Sequence, residues 1–262
     1  MKKFKKLAIA ATVSGLMMGA QAAQAHVSYF TGNTGGPATN GNAANGAGSW
    51  TDSTGPAGYA GNLPVNWIAH VHNDTNPVVS YEVSDADAIA EGAASGYNLQ
   101  SPNNKWHIGT SWGAALAYGL VDLHAGSWVD ITVSAADGST FTPGVTLWNS
   151  WDASTGSSKH QSWNNGPTAA DASPLGSAEL SYNDSAATTT AGGSVTIHKY
   201  LAAGDYTLFI GGNGTGGTSG IDQSYKVNIA TSVVPVPAAV WLFGGALVSL
   251  FSVNRRKKAM PV

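Results

Sequence analysis

Ser127-Trp128-Val129-Asp130-Ile131-Thr132-Val133 alternates strictly: Val129, Ile131 and Val133 fall on one side, Asp130 and Thr132 on the other. A period of two belongs to a strand with one face in a core. The same period returns downstream. Val195 and Ile197 alternate with Thr196 and His198; Tyr206, Leu208 and Ile210 with Thr207 and Phe209; Tyr225, Val227 and Ile229 with Lys226 and Asn228. Gly, Asp, Asn and Ser clusters bound each run, as they bound half-buried antiparallel strands. Shorter runs at 65–72, 77–83, 114–123, 143–148 and 177–183 predict further strands, and Ser84 to Ala94 predicts one short helical turn. Many short strands with Gly-rich turns specify an all-β fold, an antiparallel β-sandwich of jelly-roll-like type spanning 65–232.

The preceding segment is of another kind. Residues 31–62 hold nine glycines with much Asn, Thr and Ala, a single charge at Asp52, and no Val, Ile, Leu, Met or Phe. Such a composition buries too little to offset its own ordering entropy. Residues 26–64 are therefore expected to form a Gly/Asn-rich arm or loop, with Trp50 and Tyr59 as its anchoring points.

Both ends carry targeting patterns. Lys2, Lys3, Lys5 and Lys6 form a basic region, Leu7 to Ala20 an apolar one, and Ala23-Gln24-Ala25 a small-x-small cleavage site. Residues 1–25 read as a secretory signal peptide, too short to span a membrane and removed on export. At the other end, Val234-Pro235-Val236-Pro237-Ala238-Ala239 leads into an apolar stretch that stops at Arg255-Arg256-Lys257-Lys258. As a helix, Ala238 to Val253 is about 24 Å long, slightly under the roughly 30 Å hydrocarbon core. The basic cluster would hold that end in the cytoplasm. A permanent single-span anchor is the alternative reading.

Residues 233–258 resemble the PEP-CTERM sorting signal. The likeness rests on Pro235 and Pro237, on Trp241-Leu242-Phe243-Gly244 at the head of the span, and on Arg255 and Arg256 in the tail. Val236 stands where the name-giving glutamate would be, so Val-Pro-x-Pro-Ala-Ala is similar to a variant of the motif. The resemblance implies an exported protein of an exopolysaccharide-making Gram-negative bacterium. Its precursor would be anchored in the inner membrane through the C-terminal span and cut by exosortase, a membrane-embedded cysteine protease. It would then reach the cell surface or the extracellular biofilm matrix.

Removal of both ends changes the electrostatics. Of twelve basic residues only Lys105, Lys159, Lys199 and Lys226 remain, while all fifteen acids lie between Asp52 and Asp222, leaving a net charge of −11. Such a surface repels phosphate backbones, which excludes nucleic acid as a partner. No cysteine occurs. Thiolate metal sites, iron–sulfur clusters and cysteine nucleophiles are thereby excluded, and the exported body is held by burial alone.

A second resemblance covers roughly residues 115–230. Tyr200-Leu201-Ala202-Ala203-Gly204-Asp205-Tyr206-Thr207-Leu208-Phe209-Ile210 resembles a hairpin of bacterial pre-peptidase C-terminal-type domains, and Pro143-Gly144-Val145-Thr146-Leu147-Trp148 matches another strand of that jelly roll. It implies a non-catalytic accessory sandwich.

Two glycine motifs lack their context. Gly109-Thr110-Ser111-Trp112-Gly113 has the form G-x-S-x-G, which would make Ser111 a hydrolase nucleophile, but that elbow needs a parallel sheet followed by a helix. Gly212 to Gly217 has the form G-x-G-x-x-G, yet a polar run and another strand follow instead of a helix, so a hairpin loop is expected.

The histidines carry more. Cleavage after Ala25 makes His26 the first residue, with an amine and an imidazole side by side. With one further imidazole these form a copper histidine brace, as in lytic polysaccharide monooxygenases. His70-Val71-His72 could supply it: on a strand, i and i+2 share a face about 6.5–7 Å apart, with Trp67, Ala69 and Val71 facing inward. His26, His70 and His72 are thus candidate ligands for copper. Eight tryptophans remain in the body, among them Trp128 and Trp148 on strands and Trp151 and Trp163 in loops. Exposed rings of this kind stack on sugars; rings that cover the loops and ends of a sandwich are the plainer reading. The expectation is a non-enzymatic surface or matrix protein that binds exopolysaccharide or partner proteins. Copper binding through His26 is the alternative, and a serine hydrolase on Ser111 a distant third.

Overall fold

The residues that alternate in sequence alternate in space. The structure, a computed structural model, describes residues 26–31, 50–51, 59, 65–72, 78–103, 106, 111–112, 116–151, 163–164, 180–214 and 222–232. The expected signal helix and C-terminal sorting helix lie outside these residues. Among those described, no helix is long and apolar enough to cross a membrane.

In chain order the elements are β1 (His26–Tyr29), β2 (Val65–Val71), β3 (Val78–Val83), α1 (Asp85–Ala90), β4 (Gln100–Pro102), β5 (Ser111–Trp112), β6 (Ala117–Leu123), β7 (Ser127–Ala135), β8 (Pro143–Asn149), β9 (Trp163–Asn164), β10 (Ser181–Ala187), β11 (Ser194–Leu201), β12 (Gly204–Gly212) and β13 (Asp222–Ser232). The one helix of the described residues is the short turn expected after Ser84. The Ser84 hydroxyl caps it by accepting from the Asp87 amide at 3.1 Å, satisfying one of the donors a helix start leaves open.

Two sheets form the sandwich. One runs β1-β2-β6-β12-β8-β10, the other β11-β7-β13-β3, with β4 paired to one end of β13. The pairs are antiparallel except β2 with β6, which run parallel. Val129, Ile131 and Val133 of β7, Val227 and Ile229 of β13, and Val121, Leu123, Leu208 and Ile210 of the facing sheet meet between the layers. Burying each such side chain contributes roughly 1.5–3 kcal/mol, which is what selects this register over a one-residue slip.

The six-stranded sheet is covered on its other face as well. Ile68, Leu120, Trp148 and Phe209 alternate with the first core and pack in a second cluster with Phe30, Tyr59 and Trp106. This corrects the reading of Trp148 as a candidate platform: its ring is buried against Phe209 and Tyr182. Trp151 also packs on this cluster, edge-on to Tyr59, so its loop ring is structural. Of Trp163 only the backbone is described, in a two-residue pairing with Trp112.

Other differences follow from packing across layers. The strand expected at 177–183 begins at Ser181. Residues 26–29, expected as part of an arm, form β1, and Phe30 bridges to Trp50. The chain from β11 to β12 turns tightly at Gly204, whose φ of 146° suits glycine, but it crosses from one sheet to the other instead of forming a hairpin. The Tyr206 hydroxyl donates back to the Ala202 carbonyl at 2.8 Å and holds this crossing. The Gly212–Gly217 run likewise joins β12 in one sheet to β13 in the other.

Candidate metal centre

Three pairings place four residues in one row. Antiparallel β1 sets His26 opposite His70, parallel β6 sets Asp122 beside His70, and antiparallel β12 sets Asp205 opposite Asp122. Cross-strand neighbours of this kind lie about 4.5–5.5 Å apart. Alternation turns Val27, Ala69, Val71, Val121 and Leu123 into the sandwich core. The row therefore stands on the opposite, outer face, at the end of the sheet where β2 and β6 finish.

Two positions further along, on the same face, stand His72 and His124. The His124 amide donates to the Val71 carbonyl at 3.1 Å, which continues the β2–β6 register past both strand ends. The His72 and His124 rings lie 3.8 Å apart between centroids, and those of His26 and His70 4.9 Å apart. Asp122 ties the group together. Its Oδ2 lies 3.2 Å from His70 Nδ1 and 3.0 Å from His124 Nε2. Candidate ligand atoms of His70, Asp122 and His124 all fall within 4.8 Å of one another.

The electrostatics favour a cation. Burial, and then the neighbouring Asp122 charge, push the Asp205 carboxyl above the ordinary carboxylate range, while His124 pulls the other way. Two carboxylates facing each other across a strand pair are relieved by a positive charge between them. Two imidazoles and a carboxylate within reach of one another, with the His26 and His72 rings adjacent and no cysteine in the chain, make a nitrogen/oxygen donor set suited to copper, zinc, nickel or ferrous iron and unsuited to soft thiolate chemistry. The burial gradient is that of a mouth: the His70 side chain is 11% exposed, and the His124 side chain at the rim 44%.

Of the sequence candidates, His26, His70 and His72 are brought to one place, with Trp67, Ala69 and Val71 inward as the alternation required. Asp122 and His124 were missed. Their signal was available, because Asp122-Leu123-His124 repeats the spacing of His70-Val71-His72 on another strand. Ser111 lies on β5 opposite Asn164 in an antiparallel pair, not at the parallel strand-to-helix turn that a hydrolase elbow requires. The sorting-motif residues Pro235, Pro237, Trp241, Arg255 and Arg256 lie outside the described residues. His198, the fifth described histidine, sits on the other sheet beside Asp130.

No protein-family model matches the chain, and no curated protein matches it. A solved structure similar to part of it is described as CorA, a surface-associated copper-binding protein important in copper acquisition by Methylomicrobium album BG8. It is 14% identical, with a TM-score of 0.34, over 50% of this chain and 91% of that one. A likeness of that size carries no weight for fold or function.

Proposed function

We propose that this chain is an exported, non-enzymatic surface protein whose sandwich binds a transition metal, copper first among them, through His26, His70, His72 and His124 with Asp122. The observation that carries this is that His70 and His124, from neighbouring strands, both meet the Asp122 carboxylate, with the His26 ring beside His70 and the His72 ring beside His124. Copper is favoured over its neighbours by the divalent affinity order and by the nitrogen-rich set. The signal-peptide reading strengthens it, since cleavage after Ala25 adds the His26 amine at the start of β1. Delivery to the surface rests on the PEP-CTERM resemblance and is part of the same proposal.

The test is competitive Cu(II) titration of the exported protein, with its N-terminus sequenced. One tight site per chain is expected. His70→Ala and His124→Ala each weaken it about 10–100-fold or more, the range for losing part of a metal's coordination environment, whereas His198→Ala changes nothing. Ligation needs deprotonated imidazole, so affinity falls on acidification as protons compete for the ring nitrogens. Equal affinity in wild type, His70→Ala and His124→Ala would remove the site. Equal affinity in a chain carrying one extra residue before His26 would remove the amine from the ligand set and leave the imidazoles.

A further inference from the structure

Large apolar side chains are seldom left open on this molecule: among the described residues only Ile89, Trp128 and Tyr200 are. Two of the three are direct cross-strand partners, Trp128 on β7 and Tyr200 on β11. They stand on the outer face of the four-strand path β11-β7-β13-β3, the sheet that carries none of the metal cluster. Trp128 is 42% and Tyr200 48% exposed. Their ring centroids are 6.0 Å apart, edge to face, and His198 stacks on Trp128 at 5.1 Å with planes 13° apart. The phenol of Tyr200 rests over Gly126, where any side chain would collide with its oxygen. The rings are thus held in place while open to solvent.

Their surroundings are polar, and among the described residues no lysine or arginine side chain bonds to these rings or their neighbours on the face. The Asp130 carboxylate bonds His198 next to the rings, and the Thr132 and Thr196 hydroxyls meet at 2.8 Å one step further along the face. Among the described residues the lysine on this face is Lys226, which projects from β13 opposite Ser134, far along β7 from Trp128, and reaches towards Asp137.

We propose that Trp128, Tyr200 and His198, with Asp130, Thr132 and Thr196, form a binding platform for the pyranose rings of a neutral polysaccharide. The ligand must present C–H groups to a ring face and O–H groups to oxygen acceptors beside it, and a hexose does both. Its C–H bonds carry partial positive charge that the negative face of an aromatic ring attracts. Its hydroxyls can donate to Asp130 and exchange hydrogen bonds with the threonines. Charge selects against the other occupants. An acidic body with a carboxylate in the patch disfavours uronic-acid polymers and anionic lipid surfaces. A protein partner is disfavoured by size, since two large rings among threonines do not supply the apolar centre of a stable interface of about 1,000 Å² or more. The platform is independent of the metal reading: it lies on the other sheet and shares no residue with the cluster.

The experiment is native affinity electrophoresis of the full exported protein in gels containing hydroxyethyl cellulose, dextran or alginate, with co-sedimentation on phosphatidylcholine/phosphatidylglycerol vesicles. Retardation by at least one neutral glucan and none by alginate is expected. Trp128→Ala weakens that binding about tenfold or more, equivalent to about 1.4 kcal/mol. Tyr200→Ala does so too, and Tyr200→Phe, which keeps the ring, retains most of it. Circular dichroism and Cu(II) titration report that both alanine variants remain folded and keep their metal affinity. The proposal is overturned by no retardation in either neutral glucan, by equal retardation of wild type and both alanine variants, or by vesicle or alginate binding that Trp128→Ala abolishes.

Discussion

Gly119→Ala tests the β2–β6 pairing on which the proposed metal site is built. Gly119 lies beside Trp67 in the parallel register, and the Trp67 indole fills the space a side chain at 119 would need. An added methyl would overlap three ring atoms, Cζ2, Cε2 and Cη2, each by more than about 1 Å relative to the 3.5–4.0 Å of ordinary carbon contact. The ring has nowhere to go: Trp67 is fully buried and its Nε1 donates to the Tyr225 hydroxyl at 3.3 Å. Overpacking of this kind costs about 1–3 kcal/mol. Displacing the indole adds the loss of a buried hydrogen bond, about 1 kcal/mol more. A total near 3 kcal/mol corresponds to a fall in Tm of roughly 6–12 °C for a domain of this size. Chemical denaturation of wild type, Gly119→Ala, Trp67→Phe and the double variant measures it. Phe lacks the clashing ring, so in the Trp67→Phe background the Gly119→Ala cost is expected to drop below about 1 kcal/mol, the coupling typical of residues in contact. Gly96→Ala, where an added methyl meets nothing, serves as control. Strictly additive costs, or a Gly119→Ala loss below about 0.5 kcal/mol, would refute the packing and the register with it.

Three other outcomes follow. Ile131→Ala, at the centre of the first core with 1% exposure, is expected to cost about 2–5 kcal/mol by the same denaturation assay. Burial first, and for Tyr29 also the Asp87 carboxylate it donates to, hold Tyr29 and Tyr225 protonated well above the ordinary tyrosine range. A raised folded pKa means that stability is intact below the unfolded value near pH 10 and is lost above it. Each phenol contributes a fall of about 1.4 kcal/mol per pH unit above about 10, to be seen as cooperative alkaline unfolding when tyrosinate absorbance is followed. The proposed processing predicts that intact mass of protein from the cell surface begins at His26 and lacks Arg255 to Lys258; a retained span would favour a plain anchor.

The sandwich was legible because β7, β11 and β13 keep one face in the core and one in water, so their sequences alternate cleanly. The six-stranded sheet is buried on both faces at its centre, and β2 reads as an unbroken buried run with no periodicity to expose its second face. Its outer cover comes from isolated aromatics such as Phe30, Tyr59 and Trp106, set in Gly-rich or polar sequence with no period of their own. For that reason the sequence left open whether Trp148 and Trp151 were sugar platforms or covering rings, and packing decides for the second, plainer reading. The His70–His72 pair was visible because its spacing is local. Asp122 and His124 joined it only through a parallel register between strands about fifty residues apart, which no local window contains. Trp128 was placed on the polar face correctly, but its partnership with Tyr200 depends on the β7–β11 register.

The proposed metal site draws on His26, His70, His72, Asp122 and His124, which three strands joined by long connections bring together. Contacts so distant along the chain close late, after most loop-closure entropy has been lost. No hairpin, proteolytic fragment or nascent stretch of this polypeptide contains the centre, and an unfolded chain offers only scattered imidazoles. A metal that binds only the assembled row stabilises the whole native state by mass action. Occupancy of the proposed site would therefore be a readout of completed folding.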